Sequence, residues 1–374
     1  MAVFLINASN IQKGGGGCQV TDSICRELPS FQEHTFIVVL SEGVSYLKTI
    51  VSARNIIVYS YNIGNSFKNI ILGRDEFLDN LVLHHKVEAV LTIFGPSKWI
   101  PRCPHLCGFA RAQIVLKDSP YLKRISWKTK IKFFIWKQAF KKSSRVFYTE
   151  NEIISELLPS VLGKNIRVFT VTNYYNQIFE DKSLWRELRL PLFEGATFLT
   201  LASNYPHKNL TIAVLISKIL KSKHPNFKFR FVFTIEQSSY ISLDDSIKNN
   251  FVFIGNVDIS ECPHLYQQCS VVFNPSLMEC FSATYPEAMK MGKPIVTTDL
   301  AFSRGLCGDA ACYYSPIDAE SAADALYKVS TNRKYSQYLV EQGKYRLNSF
   351  DNYEQRTKKL INIINILKDE RNTN

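Results

Sequence analysis

The chain has 374 residues, 46% of them apolar and 21% charged, enough to bury a sizeable core and to form two domains more readily than one. With only 16 Gly and 14 Pro it is neither collagen-like nor low-complexity, and nine cysteines, an odd number, are not a disulfide framework. No apolar run reaches the ~18 residues needed to cross a bilayer.

The start, Met1-Ala-Val-Phe-Leu-Ile-Asn7, lacks the basic region and small-residue cleavage site of a signal peptide and reads as a first strand. The expected protein is soluble or peripheral, and cytosolic. Candidate strands follow at Val3–Ile6, Phe36–Leu40, Ile56–Tyr59, Ala89–Phe94, His105–Phe109, Arg145–Tyr148 and Arg167–Val171. Several are nearly continuous apolar runs, as parallel strands buried on both faces are. Gly14–Gly17 lies between the first strand and a helix predicted over Cys18–Leu28; four glycines let a chain approach a ligand closely. Cys103-Pro-His105-Leu-Cys107 invites a metal reading, but three ligands so close with no second cluster make a poor tetrahedral site.

Of the formal charge of +12, +10 sits in one stretch. Residues 101–150 hold twelve Lys/Arg against two acids, Asp118 and Glu150. The densest part, Tyr121 to Arg145, has no Gly or Pro and predicts a helix. Ile131, Phe134 or Ile135 and Gln138 recur at helical spacing, with Trp127 and Trp136 near them, and Lys130, Lys137 and Lys141 share another face. A basic helix with Trp and Phe suits an anionic membrane surface. The ordinary alternative is a domain helix with aromatics inside and lysines in water. Nucleic acid is disfavoured, because the aromatics lie on a helix and not on a sheet platform.

Thr149-Glu-Asn-Glu152 reads as a capping box opening a helix to about Leu162. Residues 174–195 lose the pattern and read as a linker. A second βα series follows, with strands at Thr197–Leu201, Phe229–Ile235, Phe251–Ile254, Val271–Phe273, Pro294–Thr298 and Cys312–Tyr314. Helices are predicted near His207–Lys221, Pro286–Met291, Ala319–Val329, Tyr335–Leu347 and Tyr353–Leu367. The organisation expected is an α/β protein of two doubly wound Rossmann-like domains facing across a cleft, 1–173 and 196–350. A C-terminal helix, 351–374, is free to pack back on the first.

The strongest chemical signal is NPSLMECFSATYPEAMKMGKPIVTTD, residues 274–299. Glu279 lies on a loop at a strand's carboxyl end. Pro286 suits the first turn of a helix that Gly292 caps and Pro294 prevents from continuing, and Glu287 stands in that turn. A helix N-terminus offers free N–H groups to an anion. One carboxylate before an anion site and one within it match a nucleotide diphosphate sugar, with hydroxyl pairs on sugar and ribose. After another strand comes Ser203-Asn-Tyr-Pro-His-Lys208-Asn209, where a cation in a helix first turn makes sense if an anion is bound beside it.

These segments resemble the E-x7-E signature of the retaining family 4 glycosyltransferases (glycosyl transferases group 1), which have the two-domain GT-B fold. The matching residues are Pro275, Ser276, Glu279, Phe281, Ser282, Glu287, Ala288, Met289, Gly292 and Pro294; Cys280 stands where Gly is usual. Gly255 and Tyr266 look like the family's base-binding loop and helix, Gly308-Asp-Ala-Ala311 like its GDAA segment, and Pro206-His-Lys208-Asn like its diphosphate motif. The resemblance covers most of the C-terminal half; the N-terminal half matches mainly in architecture.

The resemblance implies that Glu279 holds the donor sugar's hydroxyls and Lys208 the diphosphate, as the catalytic pair. It implies that Glu287 binds ribose, with Phe281, Ser282, Ala283, Thr284 and Gly255 on the donor, and that the Gly15–Gly16 loop lies beside donor phosphates and acceptor. The Arg that often precedes the Lys by five residues is Ser203 here, and Arg304 is a candidate replacement. The family's N-terminal His has no fixed counterpart; Arg111 is a candidate for its space. The donor is expected to be UDP- or GDP-linked and no metal or cofactor is implied. The acceptor would be a glycan or polyprenyl-diphosphate-linked sugar, as in O-antigen or capsule assembly. Arg111, Trp127, Lys130, Trp136, Lys137 and Lys141 would form the acceptor or membrane side. Two other readings stay open: a non-catalytic sugar-nucleotide-binding protein of this fold, and a basic nucleic-acid-binding protein.

Overall fold

The structure, a computed structural model, describes residues 1–12, 14–49, 53–64 and 72–373. The chain forms two compact units: Met1–Lys117 with Ile125–Asn176 and Asp351–Asn374, and Asp118–Arg124 with Gln177–Phe350.

The first unit holds a seven-stranded sheet, β1 (Ala2–Ala8), β2 (His34–Leu40), β3 (Ile56–Ser60), β4 (Ala89–Thr92), β5 (His105–Gly108), β6 (Val146–Thr149) and β7 (Arg167–Thr170). Its order is β3-β2-β1-β4-β5-β6-β7, with every pairing parallel. All seven strands fall where the apolar runs predict them. Between them lie α1 (Gly16–Glu27), α2 (Glu76–His84), α3 (Ala112–Val115), α4 (Trp127–Ser143) and α5 (Glu152–Leu162). The sheet core joins Phe4, Ile6, Val38, Leu91 and Leu106, and the last helix of the chain closes it with Leu360, Ile361 and Ile364.

The second unit holds β8 (Ala196–Thr200), β9 (Phe229–Phe233), β10 (Phe251–Phe253), β11 (Val271–Asn274), β12 (Ile295–Thr298) and β13 (Ala311–Tyr314). Their order is β10-β9-β8-β11-β12-β13, again all parallel. Its helices are α6 (Ile212–Lys223), α7 (Cys262–Gln267), α8 (Thr284–Lys290), α9 (Ala301–Cys307), α10 (Ala319–Thr331) and α11 (Arg333–Leu347). The terminal helix α12 (Tyr353–Thr373) belongs to the first unit. The core is aromatic: Phe198, Phe231, Phe233 and Phe273 pack with Ile216, Leu220 and Leu326. The sequence pattern singles out none of α2, α3 and α9, which are short, while α7 is the helix expected around Tyr266.

Strand order fixes where chemistry can occur. In each sheet the order reverses once, between β1 and β4 and between β8 and β11. The carboxyl ends at such a switch point diverge and leave room for a ligand.

Three local readings are corrected. Thr149 does not cap α5: it ends β6, fully buried, and the Asn151 side chain accepts from the Ile153 N–H at 3.0 Å. The helix predicted over His207–Lys221 is broken. A 3-10 turn, Pro206–Lys208, ends at Asn209 in the left-handed region (φ 52°, ψ 34°), and α6 starts only at Ile212. Of the stretch 174–195, residues 177–195 are bonded into the second unit. The Arg186 N–H donates to the Ser260 carbonyl at 2.9 Å, and the Leu190 N–H to Gln268 Oε1 at 2.8 Å.

Candidate active site

Lys208 and Glu279 stand in the segments that leave β8 and β11, the two strands flanking the second sheet's switch point. Their side chains form an ion pair, and both are largely shielded, 17% and 10% exposed. Because Asn209 turns the chain before α6, Lys208 ends a short 3-10 turn and has no long helix behind it. Its charge is met by the carboxylate, not by a helix dipole. The two segments are also joined through backbone, the Leu277 N–H donating to the His207 carbonyl at 2.8 Å.

His207 completes this corner. Its ring stacks on Tyr205 at 5.7 Å between centroids and meets Tyr121 in a T-shaped contact at 5.9 Å. Burial pushes its pKa below the ordinary value; the Glu279 carboxylate opposes that shift and the Lys208 cation adds to it. The net effect favours the neutral imidazole. Its position inside Pro-His-Lys-Asn was the signal available for finding it.

The segment from β11 to α8 is ordered by side chains. Asn274 Oδ1 accepts from the Ser276 N–H at 3.2 Å, and its Nδ2 donates to Ser282 Oγ at 3.3 Å. Ser282 continues to Thr284 Oγ1 at 3.3 Å, and Thr298 Oγ1 donates to the Ser276 carbonyl at 2.7 Å. Ser282 and Thr284 are buried, with Ala283, the residue before α8, half-buried between them. Phe281 turns its ring onto Phe350 at 5.8 Å.

Glu287 lies in the first turn of α8, buried, with Oε2 accepting from the Tyr266 hydroxyl at 2.7 Å. Burial raises its pKa to about 7, against which the Tyr266 hydrogen bond works. Tyr266 is itself fully buried, so it supports Glu287 and has no open face for a base. Gly255, after β10, has φ +71°, and a Cβ there would stand 2.5 Å from the Glu236 carboxylate. The backbone conformation demands glycine, while the Glu236 side chain is exposed and free to move aside.

In the first unit, Gly14 and Gly15 both have φ +80° after β1, and Gly15 precedes α1; a Cβ on Gly14, Gly15 or Gly16 would meet nothing within 4 Å. The loop is glycine for its dihedrals, with open space beside it. His105 is a core histidine: Nε2 meets Thr92 Oγ1 at 2.8 Å, Nδ1 the Ser143 carbonyl at 3.0 Å, and burial lowers its pKa to about 4.

Helix α4 is apolar on two opposite sides. Phe140 is buried, while Phe133 and Trp136 stack at 5.5 Å and are half-buried. Trp127, Ile131, Phe134 and Ile135 are exposed by 67, 49, 60 and 59%. Their i, i+4, i+7, i+8 spacing makes one stripe. Lys130, Lys137 and Lys141 follow one edge of it, and Lys128 the other. Arg111 sets its guanidinium over Trp136 at 4.3 Å, so it stands against this helix. Arg304 is engaged elsewhere, with bonds of 2.7 and 2.8 Å to Asp299 and its guanidinium over Tyr313 at 3.8 Å.

Residues 191–346 match the family model described as glycosyl transferases group 1. The chain carries a glycosyl transferases group 1 domain on a GT-B fold. No curated protein matches it. Among solved structures it is similar to sucrose-phosphate synthase from Thermosynechococcus elongatus, with TM-score 0.70, 12% identity, and 98% of this chain and 99% of that one covered. It is similar to HepE of Anabaena, solved with UDP and glucose: TM-score 0.70, 13% identity, coverage 98% and 99%. WaaG, a glycosyltransferase involved in lipopolysaccharide biosynthesis, aligns with TM-score 0.66 at 14% identity, over 97% of this chain and 99% of that one. The glycosyl transferases group 1 domain contains every second-unit candidate residue, Lys208, Gly255, Glu279 and Glu287 included.

Proposed function

We propose that the protein is a retaining, metal-independent hexosyltransferase. It moves a sugar from a UDP- or GDP-linked donor to a glycan or polyprenyl-diphosphate-linked acceptor at an anionic membrane surface, in bacterial surface-polysaccharide assembly. The observation that carries the reading is the shielded Lys208–Glu279 pair beyond the two switch-point strands of a glycosyl transferases group 1 domain.

When the donor binds, its diphosphate takes Lys208, and Glu279 turns to the sugar's hydroxyls. The acceptor oxygen attacks the anomeric carbon on the face from which the diphosphate departs. The bond from that carbon to the phosphate oxygen breaks, and the acceptor's proton passes to the leaving phosphate. Lys208 and the backbone N–H groups at Ala283–Thr284 stabilise the charge that develops there. Glu287 accepts from ribose hydroxyls through the oxygen not given to Tyr266. HepE, solved with UDP and UDP-glucose, makes UDP donors the first to test.

The membrane part rests on the exposed stripe of α4 with lysines along both edges and no acid from Ser119 to Thr149. Rings of that kind enter the headgroup region while the ammonium groups meet anionic lipid. Among the described residues no helix is long and apolar enough to cross a membrane.

The test is a panel of UDP- and GDP-sugars with lipid-linked acceptors, following nucleoside diphosphate release and the anomeric configuration of the product. Acceptor-dependent release with retained configuration is expected. Binding without release would leave a sugar-nucleotide-binding protein, and inverted product would remove the retaining mechanism.

A further inference from the structure

Residues 118–124 belong to the second unit, although the chain on both sides of them belongs to the first. Its second residue, Ser119, is 5% exposed. Its hydroxyl oxygen accepts from the Tyr121 N–H at 3.3 Å, opening the 3-10 turn Pro120–Lys123, and its proton goes to the Leu277 carbonyl at 2.7 Å. That bond spans 158 residues of sequence.

Leu277 is therefore held from both ends. Its N–H goes to the His207 carbonyl and its carbonyl receives Ser119. Two residues on stands Glu279, and the residue after His207 is Lys208. Tyr121, from the same segment, makes the edge-on ring contact with His207. The strap thus touches both segments that supply the ion pair, at one residue's remove from Lys208 and two from Glu279. Leu277 is 3% exposed, so its carbonyl has little access to water if Ser119 is withdrawn, and an unpaired buried carbonyl is costly enough to make the backbone move.

We propose that the strap Asp118–Arg124 positions the Lys208–Glu279 pair, with Ser119 as the positioning residue. The inference rests on the donor-site reading above for its effect on turnover, but not for its effect on the loop. Contacts made in a transition state tolerate little displacement, so freeing Leu277 lowers kcat while the donor's remaining contacts keep its KM.

The experiment compares wild type, Ser119→Ala and Ser119→Thr, full length. Hydrogen exchange is followed by mass spectrometry in peptides covering 203–209 and 275–283, with 229–235 as reference. Turnover is followed as UDP or GDP release from whichever of UDP-glucose and GDP-mannose the wild type uses. Ser119→Ala is expected to speed exchange about tenfold in the two site peptides only. It should lower kcat about tenfold with KM within twofold and the melting temperature nearly unchanged. Ser119→Thr, which keeps the hydroxyl, should restore both. Unchanged exchange and kcat in Ser119→Ala overturn the proposal. So does a loss spread over the reference peptide and the melting temperature, which is ordinary destabilisation. If the wild type neither binds nor turns over either nucleotide sugar, the donor-site reading fails, and the exchange arm alone still decides whether Ser119 holds the loop.

Discussion

Glu279→Gln should have two effects of opposite sign. Without ligand, Glu279 occupies the cation that a diphosphate needs. A phosphate approaching Lys208 must displace the carboxylate or share the ammonium with it, and the two anions repel. At ~4 Å and an effective dielectric near 20 that repulsion is about 4 kcal/mol, an upper figure, because the carboxylate can turn away. A charge-assisted hydrogen bond shielded as this one is contributes about 1.5–3 kcal/mol. Removing the charge while keeping the shape should tighten UDP or GDP binding by roughly 1–3 kcal/mol, about 5- to 150-fold. The unliganded variant should melt lower, since Lys208 is left shielded and unpaired, and the rise in melting temperature on adding UDP or GDP should be larger than in wild type. Transfer should fall by ~100-fold or more, because the sugar loses a contact that counts in the transition state. Calorimetric titration with UDP and GDP, beside a turnover assay, reads both signs. Unchanged or weaker nucleotide affinity in Glu279→Gln would refute the exchange of Lys208 between carboxylate and phosphate.

Three further outcomes are expected. Burial holds the Glu287 carboxyl near 7, above the usual 4.5, so between those values the folded protein keeps a proton that the unfolded chain has lost. Stability then falls as pH rises through that window, by up to about 1.4 kcal/mol per pH unit for this group, and levels off above it; denaturant unfolding from pH 4.5 to 8 should show a shallower slope in Glu287→Gln. Replacing Lys130, Lys137 and Lys141 with Gln should cost several kcal/mol of binding to anionic vesicles, at about 1 kcal/mol per lysine near the surface. Salt should imitate it, and transfer to a short soluble acceptor should survive; wild-type sedimentation of the triple variant would reduce these lysines to a solvated face. Arg356 on α12 is 2% exposed, donates to Asn173 Oδ1 and lies within electrostatic reach of the buried Glu150, so Arg356→Ala should destabilise the protein by about 1.5–3 kcal/mol in denaturant, while Arg356→Leu with Glu150→Leu should lose clearly less.

The parallel strands were legible because burial on both faces writes itself as unbroken apolar runs such as Val3–Ile6 and Phe36–Leu40. The E-x7-E loop was legible because Glu, small residues, Pro and Gly keep a fixed spacing on one short segment. What was hidden depends on distant partners. Nothing local at Lys208 announces that Glu279, 71 residues away, neutralises it. Ser119 looks like any turn serine until Leu277 appears beside it. Thr149 and Asn151 both suit a cap, and the choice was made by β6, which extends through Thr149 and buries it. Asn209 in the left-handed region breaks a pattern whose apolar period continues through it. The two apolar sides of α4 lie opposite each other, and sequence spacing alone does not say which one faces solvent.

The central claim is that Lys208 receives a nucleotide's diphosphate. Its most direct test is calorimetric titration of wild type and Lys208→Ala with UDP and uridine, and with GDP and guanosine. Wild type should bind one diphosphate at least tenfold more tightly than its nucleoside, and Lys208→Ala should erase that margin while leaving nucleoside affinity within twofold. A margin that survives in Lys208→Ala, or equal losses for nucleoside and diphosphate, would contradict the account.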